Sequence, residues 1–330
     1  MKKYLLIIAL LAFLPEMVFT QACCGAMAGG MGTAGARFGL GTAGARSLQL
    51  QFAYDLNYMN GLYDGDIRLE DNDRLRVIHS GIIEANYGIS RKLSVAGIMT
   101  YVGQELASTR LDGGRQIDYL WGFGDMVFMV KFRLMNPLAY NGWGIVAGIG
   151  PKLPTGSFSQ SGSNNSLFPM DVQSGSGSFD AISWLSFSKS HILITNLYLS
   201  SGATFRLSGQ NRNFQDSLTY SFGNEFQYTA GLSYNFYGGI VFDIFNYVRY
   251  RYQVTDKLCE EPVEKTGGHW LFISPGIRVN FTQNFSFVVS ADLPFYRNLE
   301  GPQLTTSYRF SAALMYNITP RQLNEIKPDQ

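Results

Sequence analysis

Residues 48–58 read LQLQFAYDLNY, and the alternation in this stretch indicates the fold class. Every second position holds an apolar or aromatic side chain: Leu48, Leu50, Phe52, Tyr54, Leu56 and Tyr58. Polar side chains lie between them, at Gln49, Gln51, Asp55 and Asn57. A period of two places the two groups on opposite faces of a β-strand. The stretch is longer than the usual soluble strand of about five or six residues, and it fits the roughly 9–11 that cross a membrane.

The same alternation returns along the chain between regularly spaced breaks, and it predicts twelve strands. They are residues 47–59, 78–89, 93–106, 124–135, 143–155, 180–188, 192–206, 222–236, 239–254, 269–281, 285–298 and 308–318. Short connections alternate strictly with long polar ones, including a mobile Ser/Gly/Asn-rich loop predicted at 156–179. Even-stranded outer-membrane barrels have this arrangement of short periplasmic turns and long external loops. The sequence predicts an all-β, transmembrane antiparallel up-and-down β-barrel over residues 47–318, with a soluble β-sandwich as the alternative.

Composition supports a barrel in contact with lipid. The chain is 46% hydrophobic and 14% aromatic, and its 15% of charged residues is low against a usual value of about 25%. The formal net charge of +1 provides no basic surface for nucleic acid, so we expect no nucleic-acid partner. No later segment is apolar for long enough to form a transmembrane helix.

The N-terminus has the features of an export signal. Lys2 and Lys3 precede an apolar run over residues 4–14, and small residues before Cys23 suit cleavage after residue 22. We therefore predict a signal peptide at 1–22 and export to the outer membrane of a Gram-negative bacterium. Both ends of the barrel would then lie in the periplasm, with residues 319–330 as a C-terminal periplasmic tail.

Between the signal and the first strand, residues 23–46 form a Gly/Ala-rich periplasmic segment in which GTAGAR occurs twice. Its small residues suit a plug that lies across the lumen. Cys23 and Cys24 are adjacent, and thiolates are the ligands that Cu(I) prefers, so this pair is the candidate metal site. A redox-active disulfide, a lipid anchor on Cys23 and a plain flexible tail remain open alternatives. No organic cofactor is expected.

Charged residues on the faces opposite the apolar ones would line the lumen, because Arg or Lys on the lipid side costs about 2–4 kcal/mol at the midplane. The predicted lining residues are Asp55, Glu84, Asp125, Lys131, Arg133, Lys152, Glu225, Asp243, Arg249, Arg251, Arg278, Asp292 and Arg309. Both signs occur, so they form either a closed ladder of ion pairs or the wall of a narrow pore. Arg249 and Arg251 would hold an anionic group, or pair with Glu225 or Asp243.

Three motifs occur in a fixed order after the third predicted strand. They are Gly122-Phe123-Gly124-Asp125 followed by MVFMVKFRL, then GPKLPTG at 150–156, and GSGSFD at 175–180 before a strand that ends LSFS. Together they resemble the outer-membrane channel family of the MetA-pathway of phenol degradation, and the Cys-Cys-Gly start resembles a paired-cysteine subgroup of it. The resemblance implies a barrel that passes small, often hydrophobic or aromatic, molecules across the outer membrane.

These features predict a porin-like channel or transporter for passive uptake or efflux of a small solute. The alternative is a barrel that serves a periplasmic assembly or a copper-handling pathway through Cys23 and Cys24. An enzyme is not expected, since Ser186-x-x-Lys189 lies at a short turn, and His191 lies in a turn and His79 and His269 at strand edges, where a histidine seldom acts as a base. The expected partners are outer-membrane lipid, lipopolysaccharide, the solute and a periplasmic protein. The acidic loop 60–77 is expected to be solvated, and binding of divalent cations or lipopolysaccharide is the alternative.

Overall fold

The computed structural model describes residues 41–71, 73–109, 114–162, 166–215, 217–238 and 240–319. These residues form strands and no helix, so none of them belongs to a helix that could cross a membrane. The strands are β1 (Leu48–Met59), β2 (Gly61–Gly65), β3 (Ile67–Leu69), β4 (Leu75–Gly88), β5 (Leu93–Thr109), β6 (Arg115–Phe123), β7 (Met126–Met135), β8 (Trp143–Leu153), β9 (Asp180–Lys189), β10 (Leu197–Leu207), β11 (Gln210–Phe214), β12 (Leu218–Ser221), β13 (Glu225–Phe236), β14 (Val241–Gln253), β15 (Lys257–Leu258), β16 (Glu261–Pro262), β17 (Gly268–Asn280), β18 (Phe285–Thr305) and β19 (Tyr308–Ile318). The predicted signal peptide, the Cys23–Cys24 pair and residues 320–330 of the predicted tail lie outside the described residues.

Twelve of these strands close into one antiparallel barrel. Their order around the wall is β1, β4, β5, β7, β8, β9, β10, β13, β14, β17, β18 and β19. The first and last strands pair along their length, from Leu48 opposite Ile318 to Tyr58 opposite Tyr308, and this pairing leaves no free edge in the wall. The prediction of a twelve-stranded antiparallel barrel is confirmed.

The alternation seen in the sequence separates two environments in the wall. On β1, Phe52 and Tyr54 are exposed on the outside, whereas Gln51 and Asp55 are buried inside. The outside of the other wall strands also carries exposed large apolar side chains, among them Phe128, Val130, Leu185, Tyr228, Ile244, Ile277 and Leu314. The molecule is therefore apolar outside and polar inside, as a barrel in lipid requires.

One predicted strand begins later than its sequence indicates. Residues 192–206 were predicted as a strand, but β10 begins at Leu197. Residues 190–196 form a turn in which His191 and Leu193 have positive φ angles of 55° and 60°, and the amide of Ile192 donates to the carbonyl of Leu197. The run ILIT lacks alternation, so nothing in it marks the start of a wall strand.

The long connections contain more regular structure than their polar sequences predict. The loop at 60–77 holds the hairpin of β2 and β3, and 107–123 holds β6, which pairs antiparallel with the second half of β5. The connections 207–221 and 255–268 together supply a separate four-stranded sheet of β11, β12, β15 and β16. Strand pairing satisfies backbone groups that the loops would otherwise have to expose.

Loop 156–179 differs most from its prediction as a mobile loop. Met170, Val172, Gln173, Ser176 and Ser178 on this loop are all buried. The loop leaves β8, enters the barrel at the long-loop end and packs against the inner wall before it reaches β9. Close packing thus accounts for the small serines near the end of the loop, where Ser174, Ser176 and Ser178 are buried.

Candidate functional site: the barrel interior

All of the predicted lining residues lie on the inner side of the wall. Asp55, Glu84, Asp125, Lys131, Lys152, Glu225, Asp243, Arg249, Asp292 and Arg309 are buried, and Arg133, Arg251 and Arg278 are half-buried. Most of them lie near the ends of strands that lead into the long loops. There, together with Asp180 and Arg206, they form a band of paired acids and bases, which we call the charge belt and which consists of Asp125, Lys152, Asp180, Arg206, Glu225, Arg251, Arg249, Asp292, Arg309 and Asp55.

The first part of the charge belt crosses four neighbouring wall strands. Lys152 Nζ lies 2.6 Å from Asp125 Oδ2 and 3.1 Å from Asp180 Oδ2. Arg206 Nε is 3.9 Å from Asp180 Oδ2, and its Nη2 is 3.3 Å from Glu225 Oε2. Each buried charge therefore has an opposite charge on the next strand, which offsets the cost of removing it from water.

The second part of the charge belt lies on the opposite wall. Arg249 Nη2 donates to Asp292 Oδ2 at 2.8 Å, and Arg309 Nη2 donates to Asp55 Oδ2 at 3.1 Å. Asp292 lies on β18. Arg249 on β14 lies to one side of that strand in the wall, and Arg309 on β19 lies to the other. The belt contains equal numbers of acids and bases, so its net charge is zero.

The basic cluster predicted at Arg249 and Arg251 pairs with acids. Arg251 Nε lies 3.3 Å from Glu225 Oε1, one of the two predicted partners, whereas Arg249 pairs with Asp292. Aromatic rings lie under both guanidinium groups, with Arg249 4.1 Å from the centroid of Phe272 and Arg251 4.7 Å from that of Trp270. The cluster is thus part of a neutral, stacked wall.

Four further predicted residues lie closer to the short-turn end. Lys131 Nζ donates to Glu84 Oε1 at 3.0 Å, which forms a buried ion pair between β4 and β7. Strand register places Asp243 directly opposite Arg278 on β17. Charged side chains thus also lie between the charge belt and the short-turn end, and there too acids lie next to bases.

Sequence reasoning missed five buried charges, one of which is Asp256, whose carboxylate accepts from the Tyr220 hydroxyl at 2.7 Å. Asp180 and Arg206 belong to the charge belt, and Arg76 and Asp171 form a pair above it. Asp180 was visible as the last residue of GSGSFD, and Arg206 as the last residue of a predicted strand whose alternation is poor. Nothing in the sequence of the loop indicates that Asp171 lies inside the barrel.

Arg76 holds the tip of loop 156–179 against the wall. Its Nη2 donates to the Asp171 carbonyl at 2.8 Å, its Nη1 lies 3.5 Å from Asp171 Oδ2, and its Nε donates to Gln104 Oε1 at 3.0 Å. Gln104 Nε2 donates in turn to the Val172 carbonyl at 2.7 Å. Burial raises the pKa of Asp171 to about 7, although the charge of Arg76 opposes the shift. These contacts keep the loop across the long-loop mouth.

The three sequence motifs meet at the base of the same loop, in a cluster that we call the motif clasp: Asp125, Lys152, Gly156, Ser176, Ser178 and Asp180. Asp125 Oδ1 accepts from the Gly156 amide at 3.0 Å, and Asp125 Oδ2 accepts from the Ser176 amide at 3.0 Å and from the Ser176 hydroxyl. Lys152 Nζ donates to the Ser178 carbonyl at 3.0 Å. The three motifs on which the family resemblance rests therefore supply the contacts that fold loop 156–179 inward.

Two glycines bring the ends of the loop together. A Cβ on Gly156 would lie 2.6 Å from Gly175 Cα, and a Cβ on Gly175 would lie 2.3 Å from the Gly156 carbonyl carbon. Real Cβ atoms do not approach that closely, so both positions require glycine. The spacing of GPKLPTG and GSGSFD follows from this contact.

The described part of the Gly/Ala-rich segment lies at the short-turn mouth. Arg133 Nη2 donates to the Thr42 carbonyl and Asn86 Nδ2 to the Gly41 carbonyl, both at 2.9 Å. Thr42 and Ala43 are buried. Residues 41–43 are therefore held against the inner wall, whereas residues 23–40 lie outside the described residues.

Between the belt and this mouth, the interior carries two apolar patches. One lies on β4, β5, β7 and β9 and consists of Ile82, Ile98, Val127, Met129, Ile182 and Trp184. The other lies across the barrel, on β14 and β18, and consists of Phe245, Tyr247 and Val288. A solute that moves along the interior would pass both a polar ring and apolar walls.

Across the part of the chain that the structure describes, no cluster of three His, Cys, Asp or Glu side chains could hold a metal ion. The predicted copper site at Cys23 and Cys24 stays a prediction. His79 and His269 hydrogen-bond tyrosine hydroxyls, and His191 bonds the Thr195 carbonyl.

The closed apolar-outside wall, the polar interior and the inward loop define an outer-membrane-type β-barrel. The chain belongs to the family "Putative MetA-pathway of phenol degradation", whose profile matches residues 75–314. A search of curated proteins finds no match.

Among solved structures, the chain resembles the COG4313 outer membrane channel from Pseudomonas putida F1. The TM-score is 0.66 at 11% identity, over 85% of this chain and 98% of that one. The transport unit of the autotransporter AIDA-I from Escherichia coli gives 0.47 at 12% identity, over 91% and 99%. The Ralstonia pickettii toluene transporter TbuX gives 0.40 at 8%, over 87% and 98%. The first similarity supports the fold, and the other two are too weak to bear on function.

Proposed function

We propose that the protein is a channel in the bacterial outer membrane for the passive movement of a small hydrophobic or aromatic solute. The observation that carries this proposal is the inward fold of loop 156–179, whose Asp171 and Val172 are held by Arg76 and Gln104 at the long-loop end of a barrel with a polar, charge-neutral interior. A barrel that only supports other proteins has no need of a loop that covers its mouth from inside. Twelve strands also enclose more space than their own side chains fill easily.

The chemistry of the interior supports an uncharged solute with an apolar body. The charge belt has no excess of either sign, so it offers little attraction to an anion or a cation. The patches at Ile82 and Phe245 supply apolar contacts at mid-height. The family description points to phenol degradation, and the Pseudomonas putida relative in fold is described as an outer membrane channel.

Planar-bilayer conductance and liposome swelling test this function together. The purified full-length chain should admit small neutral aromatic solutes faster than sugars of equal size. Replacing residues 166–173 with a short Gly/Ser linker should raise both conductance and swelling, because it removes the segment held by Arg76. A protein that neither conducts nor swells liposomes, with and without the loop, would exclude a channel.

A second function, in copper handling or a periplasmic assembly, is favoured by the position of residues 41–43. Arg133 and Asn86 hold this segment inside the mouth where a periplasmic partner would approach. Under this proposal residues 23–46 act as a plug that carries the thiol pair. Cu(I) titration of the full-length chain should show binding that Cys23→Ser/Cys24→Ser removes. Equal binding by both proteins would exclude the metal site.

A further inference from the structure

The short-turn end of the barrel exposes large apolar side chains at every one of its five connections. They are Ile89, Leu138, Tyr140, Leu193, Ile194, Tyr237, Ile240 and Phe281. Leu138 and Leu193 are each 94% exposed, more than any other large hydrophobic side chain in the described ranges. Soluble surfaces rarely display so many apolar groups together, so this end contacts something other than water.

The two turns that carry the most exposed leucines form one unit. The Ser190 amide donates to the Gly142 carbonyl at 2.9 Å, which joins the turn at 136–142 to the turn at 190–196. Lys189 Nζ donates to the Asn141 carbonyl and lies 4.9 Å from the ring centroid of Trp143. These links present Leu138 and Leu193 on a supported surface rather than on loose chain ends.

Charge on the five described connections of this end has a single sign. The connections 89–92, 136–142, 190–196, 237–240 and 281–284 contain no Asp or Glu. Arg46, Arg91 and Lys92 are exposed there, and Lys189 lies at the edge of the joined turns. The hairpin of β2 and β3 at the opposite end instead carries exposed acids, including Asp64 and Asp66. A basic, acid-free surface suits an anionic partner.

We propose that the short-turn end docks on anionic phospholipid, with its leucine and aromatic side chains in the headgroup region and its basic side chains on the phosphates. Two observations favour lipid over a protein partner. The apolar groups occur on all five connections around the circumference, which matches a planar leaflet better than a single binding patch. They also continue the apolar outer wall, because Leu134 and Trp143 at the ends of β7 and β8 are exposed beside the joined turns. This docking does not depend on solute transport.

Site-specific labels test the depth of the turns. In a full-length chain with Cys23, Cys24 and Cys259 changed to Ser, Leu138→Cys and Leu193→Cys are labelled with an environment-sensitive dye. Ile67→Cys on β3, 66% exposed at the opposite end, is the matched control. In vesicles of brominated phosphatidylglycerol, both turn labels should be quenched several-fold more than the label at position 67. Equal quenching at all three positions would overturn the proposal.

A charge variant tests the choice of lipid. Quenching of the turn labels should be stronger in brominated phosphatidylglycerol than in brominated phosphatidylcholine. Arg91→Gln/Lys92→Gln/Lys189→Gln should remove most of that preference, whereas Arg115→Gln/Arg212→Gln/Lys257→Gln, at the opposite end, should leave it unchanged. Equal quenching in both lipids by the unaltered turns would contradict the proposal. Turn labels that become shielded only when periplasmic proteins are added would contradict it too, and would identify a protein partner.

Discussion

Charged side chains in the barrel interior are buried, and each needs an opposite charge nearby to offset the cost of removing it from water. Lys152 is buried between Asp125 and Asp180, and its ammonium also donates to the Ser178 carbonyl. Removing one partner of such a pair costs more than the pair itself contributes, since the remaining charge stays buried. Lys152 lies in the second family motif and contacts residues of the first and the third. Its loss would therefore affect the barrel wall and loop 156–179 together.

Lys152→Met should lower the free energy of unfolding by about 3–5 kcal/mol, because it leaves two neighbouring buried carboxylates without a counter-ion. Equilibrium unfolding in denaturant from lipid vesicles would measure the change. Lys257→Met is the matched control: Lys257 lies 4.0 Å from Glu260 in an exposed pair and should contribute less than about 1 kcal/mol. Similar losses for both variants would contradict the role of burial.

Asp171 makes closure of the loop dependent on pH. Burial raises the pKa of Asp171 to about 7, Arg76 lowers it in part, and Asp256 adds to the rise. In a released loop the carboxyl returns to about 4. The closed state therefore binds the proton more tightly, so acid favours closure, and each pH unit between about 4 and 7 weakens closure by roughly 1.4 kcal/mol, with no further change above about 7.

Conductance should accordingly rise as pH increases from about 4 to 7 and level off above about 7, and Asp171→Asn should remove most of this dependence because it cannot ionise. Single-channel recording across the pH range would measure the open probability. An unchanged pH profile in Asp171→Asn would assign the dependence to another group.

At the scale of elements, the wall strands were predictable and the structure of the loops was not. Strands such as β1 and β7 alternate between lipid and interior over their whole length, so each carries its own signal in the sequence. β9 and β10 alternate poorly, and the start of β10 was misplaced. Loop 156–179 folds inward through contacts with Arg76 and Gln104, which are distant in sequence, and a local pattern cannot show such contacts.

The close contact of Gly156 with Gly175 can be tested by adding one methyl group. Gly156→Ala should destabilise the closed loop by about 1–3 kcal/mol, because the new Cβ would overlap the opposite backbone. Limited proteolysis within 156–179 on reconstituted protein would detect the release. Gly81→Ala on β4, where the nearest atom is 3.9 Å away, is the control and should leave cleavage unchanged. Equal protection of both variants would show that the contact does not hold the loop.

At the scale of the whole molecule, alternation predicted which charges face inward but not how they pair. Each partner depends on the register between strands, and register is set by the closed wall rather than by any one strand. Arg249 illustrates this, since its partner Asp292 lies two strands away around the wall, on β18. The missed members Asp180 and Arg206 add one acid and one base to the charge belt, so the belt is neutral with or without them, and what the sequence did not show is their place between Lys152 and Glu225.

The contrast between the outer wall and the loops predicts how the molecule responds to a charge placed outside. Val130 lies midway along β7 on the outer face, whereas Ile67 is exposed on β3 beyond the wall. Val130→Arg should destabilise the folded barrel in vesicles by about 2–4 kcal/mol, because an arginine there must enter hydrocarbon. Ile67→Arg should change the free energy of unfolding by less than about 1 kcal/mol, because the introduced arginine is in water in both the folded and the unfolded protein. Denaturant unfolding from vesicles measures both, and equal effects would place the outer face of β7 outside the membrane.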